Sequence, residues 1–216
     1  MSHYFKTNSG LPPACLVAGF TLVELLVSLA IVSGILAIVV SNQSTYTDGA
    51  ALVSLADEIN SSISQAQAYG IGVKEFSPGT GEFSASYGLS FSLLSSGSNI
   101  AYLSFADRDD DKIYGGDWSC PIGGASECLG KIDISRGNYI ESLCVVRTSG
   151  ADICNNVGRA DISFARPNTE TQIRFFNNVG NPFSPGNIKG ARVVLQSPGG
   201  LTRSVTVYST GQVSVQ

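Results

Sequence analysis

Gly19-Phe20-Thr21-Leu22-Val23-Glu24-Leu25-Leu26 opens the stretch that decides this fold, and the apolar run it begins continues to Val40. From Phe20 to Val40 every residue is apolar, small or hydroxyl-bearing except Glu24. As a helix rising 1.5 Å per residue, a run of this length just crosses a bilayer core of ~30 Å. A lone carboxylate inside such a segment costs about 2.5–3.5 kcal/mol on insertion scales, which marks Glu24 as a candidate functional residue. Ser33 and Gly34 are small enough to let another helix approach closely.

Working outward toward the C-terminus, the helix is expected to continue in altered form over about 49–69. Leu52, Leu55, Ile59, Ile63, Ala66 and Tyr69 recur at three- and four-residue steps and make one apolar stripe, whereas Asp57, Glu58, Asn60, Ser61 and Gln65 lie off it. The first half of the helix is therefore apolar all round and the second half amphipathic. No proline interrupts 20–69. Toward the N-terminus, 1–19 reads as a leader. In a secretory signal peptide the apolar core precedes the cut and is lost. Here the core follows the candidate cut at Gly19–Phe20 and would be kept.

The motif Gly19-Phe20-Thr21-Leu22-Val23-Glu24 resembles the processing and methylation motif of type IV pilins and of type II secretion pseudopilins. The resemblance covers about the first quarter of the chain. It implies cleavage after Gly19 by a membrane-bound prepilin peptidase and N-methylation of Phe20. It also implies a role for Glu24 in meeting the N-terminal amine of a neighbouring subunit during assembly. A carboxylate in hydrocarbon seeks an opposite charge, and a freed ammonium at Phe20 lies at about the same depth. Many major pilins carry a helix-breaking proline near the place where Ser41 stands, so its absence leans toward a pseudopilin or minor pilin. The resemblance further implies other pilin or pseudopilin subunits as partners. It places the chain in the cytoplasmic (inner) membrane, with an extracytoplasmic head, before assembly into a pilus or pseudopilus.

Abundant glycine and serine and sparse charge in the 216 residues suit a loop-rich extracytoplasmic β domain. Short strands are expected at 84–94, 99–105, 139–147, 160–165, 171–176, 191–196, 203–208 and 212–215. Alternation is clearest in Arg203-Ser204-Val205-Thr206-Val207-Tyr208, and Ser209-Thr210-Gly211 reads as a hairpin turn. That ending resembles the close of the pseudopilin-H-like branch of the family. The expected fold is α+β: a long N-terminal helix, membrane-spanning and then amphipathic, packed on a C-terminal antiparallel β-rich head. The expected division is leader 1–19, membrane or filament-core helix 20–40, amphipathic continuation 41–75 and head 76–216. Cys15 falls in the leader, which leaves Cys120, Cys128, Cys144 and Cys154. An even count in a translocated domain favours disulfides, and four cysteines allow three pairings. The two local ones, Cys120–Cys128 and Cys144–Cys154, are preferred because each closes a short loop rich in Gly, Ser or Asn. A zinc site is the weaker rival, because no C-x-x-C spacing occurs and the one histidine, His3, is in the leader.

Acidic residues crowd between Asp107 and Asp117. Asp107, Asp109 and Asp111 alternate as in the first half of a calcium loop, with Asp117 as a further candidate ligand, which makes calcium the candidate cofactor. Lys112 stands where such a loop has Gly, and Trp118 where it has Glu. A solvated acidic turn is the alternative. Beyond Val145, seven basic residues (Arg147, Arg159, Arg166, Arg174, Lys189, Arg192 and Arg203) outnumber three acids. A DNA-binding minor pilin of an uptake pilus is therefore the alternative function. These residues are scattered and lack an interleaved stacking platform, so solvated strand faces are favoured over a nucleic-acid partner. With one histidine, Ser-His and Cys-His nucleophile pairs are excluded from the mature chain, no Gly-rich phosphate loop fits, and no enzyme is expected.

Overall fold

A computed structural model describes residues 19–72, 74, 75, 79, 81, 85–121, 126–167 and 170–216. Residues 1–18 of the expected leader, with His3 and Cys15, lie outside the described residues, as does the expected start of the first strand at residue 84. The chain is α+β. Helix α1 spans Leu22–Ile71, and the strands are β1 Ser86–Ser92, β2 Ser98–Asp107, β3 Cys128–Asp133, β4 Tyr139–Arg147, β5 Arg159–Phe164, β6 Thr171–Phe176, β7 Pro182–Phe183, β8 Ile188–Gln196, β9 Thr202–Tyr208 and β10 Val213–Val215. Two compact units divide it, Met1–Gln43 and Ser44–Gln216.

In the first unit, Leu22–Val40 forms a 19-residue helical segment long and apolar enough to cross a membrane, and none of it is buried. Thr21 starts the helix. Its carbonyl accepts the first helical bond from the Leu25 amide at 3.1 Å, and its Oγ1 accepts the Glu24 amide at 3.2 Å. That is an N-cap, with Glu24 at the third helical position, where a carboxylate also suits the positive end of the helix dipole. Ser28 turns its hydroxyl onto the Leu25 carbonyl at 2.9 Å, so this polar group needs no water.

In the second unit, the expected apolar stripe is buried. Leu52, Leu55, Ala56, Ile59, Ile63 and Ala66 join side chains of both sheets in one hydrophobic core. Asp57, Glu58, Ser61 and Gln65 stay exposed on the other face. Fully burying each Leu or Ile contributes about 1.5–3 kcal/mol, which holds this part of the helix to the sheets more firmly than its helix propensity would. The helix end is set by close approach. A side chain at Gly70 would bring its Cβ within 2.3 Å of the Phe164 carbonyl oxygen, so only glycine fits there.

Both sheets are antiparallel. One has six strands in the order β3-β2-β1-β5-β6-β7 and the other four in the order β10-β9-β8-β4. β1 is buried along its whole length because both of its faces are covered. Leu89 and Phe91 enter the main core, while Leu103, Phe105, Tyr114, Trp118, Cys120 and Cys128 form a second, smaller cluster. Two strands were not expected from the sequence. β3 carries Gly130, Lys131 and Asp133 and lies at a sheet edge, so its hydrophobic alternation is weak, and β7 is two residues long and begins with proline. Disulfides join Cys120 to Cys128 and Cys144 to Cys154, the two local pairings.

Candidate functional site

The residues at the head of α1 are presented openly. Gly19 and Glu24 are exposed, and Phe20 is 81% exposed. The bond between Gly19 and Phe20 therefore lies just outside the helix, one residue before the Thr21 cap, and the carboxylate of Glu24 sits in the first turn. The Thr21 cap escaped the sequence reading. Its signal was present as Thr21-Leu22-Val23-Glu24, the S/T-x-x-E spacing of a capping box.

The acidic loop is built differently from the expected ligand set. Asp107 and Asp109 are brought together with Glu127, with one carboxylate oxygen of each lying within 4.8 Å of the others. Asp111 and Asp117 contribute nothing to this group. Instead, Asp111 Oδ1 accepts the Ile113 amide at 2.7 Å, and Asp117 Oδ1 accepts the Ser119 amide at 2.7 Å and is held below the usual carboxylate range by it. Glu127 supplies the distal acid that the linear pattern lacks. It lies beyond the end of the expected twelve-residue loop, just before Cys128, and no contiguous motif could reveal it.

Lys112 takes the left-handed conformation, φ 67°, at the position where a calcium loop has glycine. Its ammonium contacts Asp110 and lies 3.8 Å from the Asp107 carboxylate. Asp107 also accepts the amides of Asp111 at 3.2 Å and Lys112 at 3.0 Å. Glu127 accepts those of Arg108 at 3.1 Å and Gly115 at 2.7 Å. Burial nevertheless pushes both carboxyls above their ordinary range, against the lowering effect of those amides. The donor set is all hard oxygen, the kind that suits Ca²⁺- or Mg²⁺-type ions. A metal there would compete with the Lys112 ammonium for Asp107.

The basic residues are spread over both sheets. Arg159 points inward: its Nε donates to Asp161 Oδ1 at 2.9 Å, its Nη2 reaches Asp161 and the Tyr114 carbonyl, and its guanidinium lies 4.7 Å from the centroid of the Phe176 ring. Asp161 is fully buried and also accepts the Ser90 hydroxyl and, at 3.1 Å, the Tyr114 amide. This network ties Tyr114 to β1 and β5. Arg192 pairs with Asp152 at 2.9 Å. Of the seven, Arg159 and Arg174 stand on strands of the six-stranded sheet, while Arg147, Lys189, Arg192 and Arg203 stand on the four-stranded one. No family model, no curated protein and no solved structure matches the chain.

Proposed function

We propose that this chain is a minor pilin or pseudopilin, a structural subunit of a type IV pilus or a type II secretion pseudopilus. One observation carries the reading. The Gly19–Phe20 bond lies exposed at the head of a 50-residue helix whose first nineteen residues are apolar and unburied, with Glu24 as their one acid. In this reading prepilin peptidase cuts after Gly19 and Phe20 becomes the N-methylated first residue. The apolar half of α1 first anchors the subunit in the cytoplasmic membrane, with its head outside, and then packs among the helices of sister subunits. Glu24 draws the subunit into register by meeting the new terminal ammonium of a neighbour. Its burial in hydrocarbon without that partner costs about 2.5–3.5 kcal/mol, and this cost drives the pairing. The Thr21 cap fixes the helix start, so the ammonium and the carboxylate keep a set spacing along the axis.

The structural-subunit reading stands ahead of a DNA-binding one because Arg159 is engaged with the buried Asp161 and Arg192 with Asp152. Calcium is the cofactor this reading retains, taken by the oxygens of Asp107, Asp109 and Glu127. The work is mechanical, not catalytic. Substituting Glu24→Ala tests the assembly role. The variant should still insert into membranes and be cleaved, yet enter filaments poorly. Filament incorporation at the wild-type level would remove the role assigned to Glu24.

A further inference from the structure

Each sheet has two outer edges; two of the four strands there are short, and a third is bridged at one residue. β7 is two residues long and contains Pro182, and β10 has three residues. Beside β4, the bridge to Ile153 is bonded both ways with Val145, at 2.8 and 3.0 Å, and is held by the Cys144–Cys154 disulfide. β3 differs. It is six residues long, has no proline, and its outer edge pairs with no strand among the described residues.

Beside this edge lies a cleft of about 430 Å³, lined by α1, β1, β2, β3 and Lys74. Ala66, Leu89, Phe105, Leu129 and Ile132 make its walls apolar. Its hydroxyls are already engaged: Ser104 donates to the Gly130 carbonyl, Tyr87 to the Lys74 carbonyl, and Tyr69 accepts from Gln65. The Lys74 ammonium lies 3.2 Å from the Tyr69 ring centroid and 5.7 Å from that of Tyr87. No carboxylate stands among the described residues of the lining.

From these two neighbouring features we infer that β3 and the cleft receive an extended segment of a partner polypeptide. The segment adds as a seventh strand of the sheet, places an apolar side chain in the cleft and sets a carboxylate on Lys74. A small acid would fill the cleft but leave the row of N–H and C=O groups on β3 to water. A strand satisfies both, and alternation along it delivers side chains to the cleft at every second residue. The inference does not rest on the assembly role of α1. It concerns what the head grips.

The test uses the full chain in lipid nanodiscs and three synthetic octapeptides that share a Thr-Val repeat and end in Asp, Asn or Lys. Calorimetry should rank the Asp peptide about threefold tighter than the Asn peptide, the size of an exposed ion pair. Hydrogen exchange should slow in residues 128–133 and not in β4, β7 or β10. Lys74→Gln should abolish the preference while keeping the binding, and Lys74→Glu should transfer it to the Lys peptide. Absence of binding by all three peptides would overturn the inference. So would binding that leaves exchange in 128–133 unchanged, an unaltered ranking in Lys74→Glu, or protection by free hexanoate but by no peptide.

Discussion

At the residue scale, the buried groups show how much a single partner can matter. Asp161 is fully buried and faces Arg159, so replacing it by Asn keeps the shape but strands a guanidinium in the interior. Removing one partner of such a pair costs about 3–5 kcal/mol, and urea unfolding of Asp161→Asn should register a loss of that size. A loss under about 1 kcal/mol would mean that the pair is dispensable. The Tyr102 phenol bonds to Ser62 at 3.0 Å, and burial pushes it up to about 12. The unfolded chain gives up that proton near pH 10, so stability is intact below that pH and falls as pH rises from about 10 to 12. Tyr102→Phe should shallow this alkaline decline in a Tm-against-pH series, at the expense of about 1 kcal/mol for the lost hydrogen bond. At the acidic loop, millimolar calcium should raise Tm by a few degrees, and Glu127→Gln should abolish the rise. An identical Tm with calcium and with chelator would leave Lys112 as the cation of that loop. Asp107 and Asp109 stood together in the sequence reading because their spacing is local, and Glu127, which the structure brings to them, is too far along the chain for that spacing to include. Arg159 was read as solvated although Arg159-x-Asp161 on a strand places both side chains on one face, a signal that alternation alone makes legible.

At the scale of the element, α1 was the most legible part of the chain. One sequence carries two patterns, apolar all round to Val40 and then a stripe at helical spacing, and the structure leaves the first exposed and buries the second. The two patterns predict opposite responses to truncation. Ile59→Ala should destabilise the head by about 2–5 kcal/mol, because Ile59 is fully buried in its core. Leu36→Ala should leave head unfolding unchanged, because Leu36 is 56% exposed. Equal effects of the two in chemical denaturation would contradict this division. The strands were legible where valine and isoleucine alternate with polar residues, as in β9, and were lost where an edge removes the need for a second apolar face, as in β3. Local cysteine pairing was legible because each pair closes a short loop: the sequence separations are 8 and 10 residues.

At the scale of the whole molecule, the chain combines an exposed apolar helix start with a cross-linked α+β head, and the apolar run, the strand alternation and the cysteine count pointed to that combination. Two short disulfide loops cross-link the head, while the absence of charge from most of 20–40 leaves that helical segment apolar enough to cross a membrane. What the sequence could not convey is which strands lie at the sheet edges, since that depends on strand order and not on any one strand. The central claim is that the apolar segment is retained as the front of the working protein. Mass spectrometry of the N-terminal peptide of the protein purified from its own membranes tests it most directly. The account predicts a chain that begins at Phe20 with a methyl group on its α-amine and continues through Glu24. A mature chain that starts beyond Val40, or one that keeps the residues before Phe20, would contradict it.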